Sequence, residues 1–222
     1  MPKEQAFALA LSVGALALGP LLYRALDGSP RARSLLDGFV LGSVGGLVVL
    51  HVLPRVFPAA GVWAVVAFLV GLLLPFALHR FAHSRSEGWV VGVGLFAVAA
   101  HATMDGAGIA HGEEALSFAI VLHRIPASVL VWWLMKPRFG PRSAALALVA
   151  LALATLVGFF GMAHVAIDAL PLAAFEALLG GALLHVIAGH GNTDRKSHLV
   201  GTVAGVVAGL GLPVVLLFEH AL

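Results

Sequence analysis

The chain contains no cysteine, and only 11% of its 222 residues are charged. The missing thiols exclude a disulfide framework and any thiolate metal site, and they leave the redox compartment unread. The missing charge excludes an ordinary soluble domain, because 60% of the residues are hydrophobic and water is not the main solvent of such a fold. The formal net charge of +2 is too small to argue for nucleic acid as a partner. Also absent is the period-two alternation of a membrane β-barrel. Backbone groups in hydrocarbon must be satisfied internally, so the expected class is all-α, a polytopic membrane helical bundle. With no loop long enough for a soluble domain, 1–222 is expected to be a single transmembrane domain, with the lipid bilayer as its surroundings.

Long hydrophobic runs are what the chain has instead. Crossing roughly 30 Å of hydrocarbon takes about 20 apolar residues of helix. Eight such runs extend over about Gln5–Tyr23, Leu35–Leu53, Val62–His79, Trp89–Ala110, Ala115–Met135, Ala144–His164, Leu172–Ala188 and Leu199–Phe218. Taken alternately, the connections carry Arg24, Arg31 and Arg33, then Arg80 and Arg85, then Lys136, Arg138 and Arg142, then Arg195 and Lys196. These basic residues are expected on the cytoplasmic side. The other side carries Lys3 and Arg55 with Glu113, Glu114 and Asp168, which puts both termini outside the cytoplasm, in a plasma or inner membrane. An odd number of spans would destroy this asymmetry. In the first run the positive charges follow the apolar stretch, and no A-x-A-like site appears, so a retained span is expected rather than a signal peptide.

Gly38, Gly42 and Gly46 recur every four residues in the second run, as do Gly201, Gly205 and Gly209 in the eighth. Such stripes let helices approach closely, either as static packing or as moving surfaces. The second run also contains Gly45-Gly46-Leu-Val-Val-Leu-His51-Val, echoed in the seventh by Gly180-Gly181-Ala-Leu-Leu-His185-Val with one residue fewer. On the charge-derived topology these two runs are antiparallel, as an inverted-repeat transporter would have them.

Histidine is the other excess, with eleven in the chain. The fourth run contains His101-Ala102-Thr103-Met104-Asp105-Gly106 and the fifth His123-Arg124-Ile125-Pro126-Ala127-Ser128, both near the expected bilayer centre. Ionisable groups at that depth are costly and point to function by default. Residues four apart share a helical face, so His101 and Asp105 project together, and His123 from the next helix completes a nitrogen and oxygen set suited to zinc or a similar divalent metal. Met104 lies beside that face and offers a thioether. Each histidine alone is more simply a hydrogen-bonded packing residue; the cluster carries the weight. Pro126 removes a backbone donor, freeing the Leu122 carbonyl and favouring a bend.

In their order and on these spans, three motifs resemble those of the ZIP family of divalent metal transporters. His101-Ala102-Thr103-Met104-Asp105-Gly106 is similar to the family's H-N-x-x-D-G, and His123-Arg124-Ile125-Pro126-Ala127-Ser128 to its H-E-x-P-H-E. Leu50-His51-Val52-Leu53-Pro54 looks like its L-H-L-L-P ending of the second span. The resemblance covers essentially the whole chain. It implies a ZIP-like fold of eight transmembrane helices with an inverted repeat of the first three and last three spans, a homodimer, and a transport bundle moving against a scaffold. It also implies His101, Asp105 and His123 as ligands of a transported divalent ion, zinc first, with iron or manganese as alternatives. The family typically builds a two-metal centre, whereas Ala102, Arg124, Ala127 and Ser128 stand here at positions where further ligands are usual. At an effective dielectric near 20, a fixed cation repels a divalent ion about 4 Å away by roughly 8 kcal/mol before screening. At most one metal is therefore expected. Arg124 needs a partner, for which Asp105 and Glu176 are the candidates.

The same topology sorts the remaining histidines into a path. His51, His111 and His164 fall near the outer ends of spans, and His79, His83, His185, His190 and His198 with Asp194 near the cytoplasmic side. His220, near the terminus, is expected to have no specific part. The expected function is transport of a divalent metal toward the cytoplasm. The alternative is a membrane metal-binding or regulatory protein, impaired in transport, in which Arg124 occupies the second metal position. An intramembrane zinc hydrolase would need a general base beside the metal, and the sequence offers no motif for one, so the chain is not expected to be an enzyme.

Overall fold

A computed structural model describes residues 2–26, 29–81, 86–111, 114–161, 169–190 and 199–219. These residues are almost entirely helical, and no strand occurs among them. The helices are α1 (Lys3–Ala15), α2 (Leu18–Leu26), α3 (Pro30–Leu47), α4 (Leu53–Ala60), α5 (Val62–Phe81), α6 (Ser86–His111), α7 (Glu114–Gly161), α8 (Ala169–His190) and α9 (Leu199–Glu219).

Proline and glycine set the breaks. Pro20 has no N–H to offer the Leu16 carbonyl, and α1 gives way to α2 at that point. Ser29 caps α3 by accepting a 3.1 Å hydrogen bond from the Ala32 amide, with Pro30 as the first helical residue. A π turn over Val48–Val52 joins α3 to α4. It stands just before Pro54, which cannot donate to the Leu50 carbonyl. It also accounts for the extra residue between Gly46 and His51: a π turn holds one residue more than an α turn, while the matching stretch of α8 is regular helix. Gly61, at φ 53°, turns the chain into α5, and Gly140, at φ 82°, divides α7 into 114–139 and 141–161. The backbone stays helical across Pro126, and Gly140 falls in the expected connection between the fifth and sixth runs.

Among the described residues, four stretches are long and apolar enough to cross a bilayer: Lys3–Leu26, Pro30–Ala60, Ser117–Gly161 and Leu170–Ile187. Val62–Ala77 and Val200–Gly211 are shorter apolar helices. Straight, the 45 residues of Ser117–Gly161 would reach roughly 68 Å, twice a hydrocarbon core, but Gly140 folds them into two rods. Large apolar side chains such as Phe7, Trp63, Phe96, Leu146 and Phe160 cover the surface, as suits a chain inserted among lipids.

The rods associate in pairs through glycine. Gly38, Gly42 and Gly46 of α3 lie against Thr202, Val206 and Leu210 of α9, and Gly201, Gly205 and Gly209 lie in turn against Ser34, Leu35 and Phe39. The two stripes thus face each other, and a Cβ at most of these positions would run into the partner's backbone. In the same way Gly71 of α5 and Gly181 of α8 meet Leu178 and Phe68, while Gly106 of α6 and Gly158 of the 141–161 rod meet Thr155 and Thr103. Gly19 of α2 abuts Ser128 of the 114–139 rod. Along α3 and α9, where the contacts repeat over several turns, residue numbers rise together on both members, so these two are parallel. The centre differs: α3 and α8 cross with numbers running oppositely, Gly45 against Leu184 and Gly180 against Val48 and Val52. The two echoed segments therefore pack on one another antiparallel.

Candidate metal centre

Among the described residues, Asp105 on α6 and Arg124 on α7 are the buried acid and base of this apolar bundle. Helical spacing stacks His101 one turn from Asp105, and the His101 Nε2 lies 3.6 Å from Asp105 Oδ1. From the 114–139 rod, His123 Nε2 comes to 3.2 Å from Asp105 Oδ2. The two imidazole rings are 5.7 Å apart and inclined by 55°. One ligand atom from each of the three residues lies within 4.8 Å of the others. Donors about 2.0–2.2 Å from a tetrahedral zinc are about 3.3 Å from each other. Each imidazole is near that distance from one oxygen of Asp105, and the widest separation in the group needs a closure of about 1.5 Å or less.

The orientation of His123 is fixed by its other nitrogen. Its Nδ1 stands 2.9 Å from the Ala119 carbonyl, one turn back. A carbonyl only accepts, so Nδ1 carries the proton and Nε2 is the nitrogen turned to the centre. Ligating histidines are commonly held in this way. The Nε2 then confronts a carboxylate oxygen, an arrangement that a shared cation, either a proton or a metal ion, makes favourable.

Arg124 sits behind this group with its side chain 3% exposed. Its Nη2 donates to Asp105 Oδ2 at 2.9 Å, to Thr155 Oγ1 at 3.0 Å and, weakly, to the Ala102 carbonyl at 3.4 Å. Thr155 in turn donates to the Leu151 carbonyl at 2.9 Å. Of the two carboxylates that the sequence offers as partners, Arg124 therefore takes Asp105. Its Nε has no hydrogen-bond partner among the described residues. Ser128 is fully buried and donates to the Ile125 carbonyl at 2.8 Å, against Gly19 of α2, so it serves packing and not the centre.

A cavity of about 140 Å³ opens from the three ligands and is lined also by His51, Arg55 and Glu176. His51 reaches it from the π turn. Glu176 is bonded by Arg55 at 2.5 Å, across a separation of 121 residues. Arg55 was expected to be only a charge on the outer side; nothing local in the sequence marks it for this partner. Thr155 was not expected at all, since it belongs to no motif.

Met104, His111 and His185 lie apart from the three ligands. Met104 is half-buried and does not line the cavity. His111 is exposed at the end of α6, where its Nδ1 bonds the Ala107 carbonyl at 2.7 Å. His185 is half-buried on α8 and does not line the cavity, and His190 ends that helix. His164 lies outside the described residues, as do His83, His198, Glu113, Asp168 and Asp194. No family model matches the chain, and neither does any curated protein.

Proposed function

We propose that the chain is an eight-span, ZIP-like carrier that moves a single divalent metal ion, zinc before iron or manganese, toward the cytoplasm. The observation that carries this is the convergence of His101, Asp105 and His123 on one point at the head of a cavity inside an apolar bundle. Two neutral imidazoles and one carboxylate are borderline donors of the kind zinc accepts, and the three leave a position open for exchange.

The pairing of the rods supports the eight-span arrangement. Counted along the chain, the pairs are one with five, two with eight, three with seven and four with six. Each separation is even, as it would be for parallel partners in a chain whose successive spans alternate in direction, and the pair of two and eight is parallel. Exchanging rods one to three for six to eight, and four for five, turns the pair of two and eight into that of seven and three, and the pair of one and five into that of six and four. An inverted repeat would produce such an exchange, and the pairing supports one. Lys136 Nζ lies 4.2 Å over the Tyr23 ring, drawing the basic ends of two rods to one side, which supports a cytoplasmic face there and termini on the other. The same proposal includes a homodimer in a plasma or inner membrane.

Uptake into liposomes by the purified chain tests it. Zinc should enter, and His123→Ala or Asp105→Asn should abolish entry; no flux of zinc, iron, manganese or cadmium would sink the proposal. The 2.9 Å bond between Arg124 and Asp105 favours a second function, a metal-binding regulator in which the guanidinium occupies the second metal position and closes the path. Zinc binding without flux in the same preparation would select it.

A further inference from the structure

The centre as it stands has three ligands for an ion that prefers four, and its charges already cancel. Arg124 neutralises Asp105, and imidazoles bind a metal in their neutral form, so a divalent ion placed there would find no net negative charge. One other carboxylate lines the same cavity. The side chain of Glu176 is 14% exposed and is tied to Arg55. Glu176 shares this cavity with the three ligands but does not belong to the group whose ligand atoms lie within 4.8 Å of one another, so it must swing in to join them.

Resting on the metal site proposed above, we infer that Glu176 is the fourth ligand, held away by Arg55, and that the ion enters by taking the place of the Arg55 guanidinium. Arg55 suits this exchange. Its side chain is 48% exposed and, at the outer end of the second span in the topology proposed above, it can withdraw toward water, leaving a pair that is screened and weak. Its departure frees one negative charge for the metal. The position of Arg55 follows from the fold: it lies on α4, one residue past Pro54, and α3, the π turn and α8 run antiparallel with Gly180 close against Val48. The close crossing brings the outer half of the second rod across the first turns of α8. Arg124 cannot be exchanged in this way, being enclosed and bonded on three sides.

Isothermal titration of the purified full chain with zinc chloride tests the exchange. Removing the competing cation with Arg55→Gln should tighten zinc binding by about tenfold, and Glu176→Gln should weaken it by about tenfold. The double variant should bind as Glu176→Gln alone does, because Arg55 acts through Glu176. X-ray absorption at the zinc edge should show one light-atom ligand fewer in Glu176→Gln than in the unaltered chain. Unchanged affinity in both single variants, with binding still lost in His123→Ala, would overturn the fourth ligand and leave the three-ligand site standing. No binding by the unaltered chain would overturn both. Should Glu176→Gln fail to fold, Arg55→Gln decides alone, since unchanged or weaker binding in that variant removes the competition.

Discussion

Two arginines hold the two carboxylates of the cavity, and their surroundings differ. Arg124 is almost fully enclosed and shares its Nη2 among Asp105, Thr155 and the Ala102 carbonyl. Arg55 is half exposed and binds Glu176 at the mouth. Taking one partner from a buried ion pair leaves a charge without compensation and costs about 3–5 kcal/mol. A pair in contact with water contributes only about 0–1 kcal/mol. The inner arginine is therefore part of the architecture of the site, while the outer one is free to exchange. The same residue type does two jobs because depth sets how much solvent can substitute for a lost partner.

The largest expected effect tests that contrast directly. In chelator-treated protein, Arg124→Met should lower stability by about 3–5 kcal/mol in thermal or denaturant unfolding, against about 0–1 kcal/mol for Arg55→Gln. Zinc should recover part of the loss in Arg124→Met, because a divalent ion then supplies the positive charge that Asp105 lacks. Similar losses in the two variants would erase the distinction between them.

How much of this was visible in the sequence follows from the distance over which each contact acts. His101 and Asp105 were legible because one helical turn brings them together whatever the tertiary fold. His123 followed from the expectation that the next span packs beside them. The choice of Asp105 over Glu176 by Arg124 was open, because both lie on spans that face the centre. Arg55 with Glu176 was hidden, since 121 residues separate them and only the antiparallel crossing of the second rod and α8 joins them. The π turn left a trace, the one extra residue between Gly46 and His51, but its meaning depends on knowing that the two echoed segments are packed together. Met104 misled because adjacency along a helix is not adjacency across it: the next residue is rotated by about 100°.

A smaller effect probes how the inner arginine is enclosed. Gly106 follows Asp105, and a Cβ at this position would meet the Thr155 carbonyl and the Phe159 amide. The missing side chain lets the 141–161 rod come close enough for the Thr155 hydroxyl to reach Arg124. Gly106→Ala should cost about 1–3 kcal/mol by overpacking. Gly94, on the same helix, has nothing within 4 Å of the position its Cβ would take. There, Gly94→Ala should be neutral or stabilising by up to about 1 kcal/mol through helix propensity. Unfolding measurements on the two variants compare one helix with itself, so a loss of equal size at both positions would mean that close approach is not what Gly106 provides.

The smallest expected effect asks whether Thr155 acts through Arg124 or only packs α7 against α6. Valine has nearly the shape of threonine but no hydroxyl, so Thr155→Val leaves the helix contact in place and removes one acceptor from a buried guanidinium. A single buried donor left unsatisfied costs about 1–3 kcal/mol, and the remaining bonds to Asp105 and Ala102 should hold the result near the lower figure. Thr155→Ser keeps the oxygen and should recover most of the loss. The decisive measurement is the same substitution in the Arg124→Met background, where no guanidinium is left to satisfy and the cost of losing the hydroxyl should fall to nearly nothing. Residues that share a hydrogen bond show such non-additivity, while independent packing contributions add. An equal cost in both backgrounds would make Thr155 a packing residue and would leave the enclosure of Arg124 to Asp105 and burial alone.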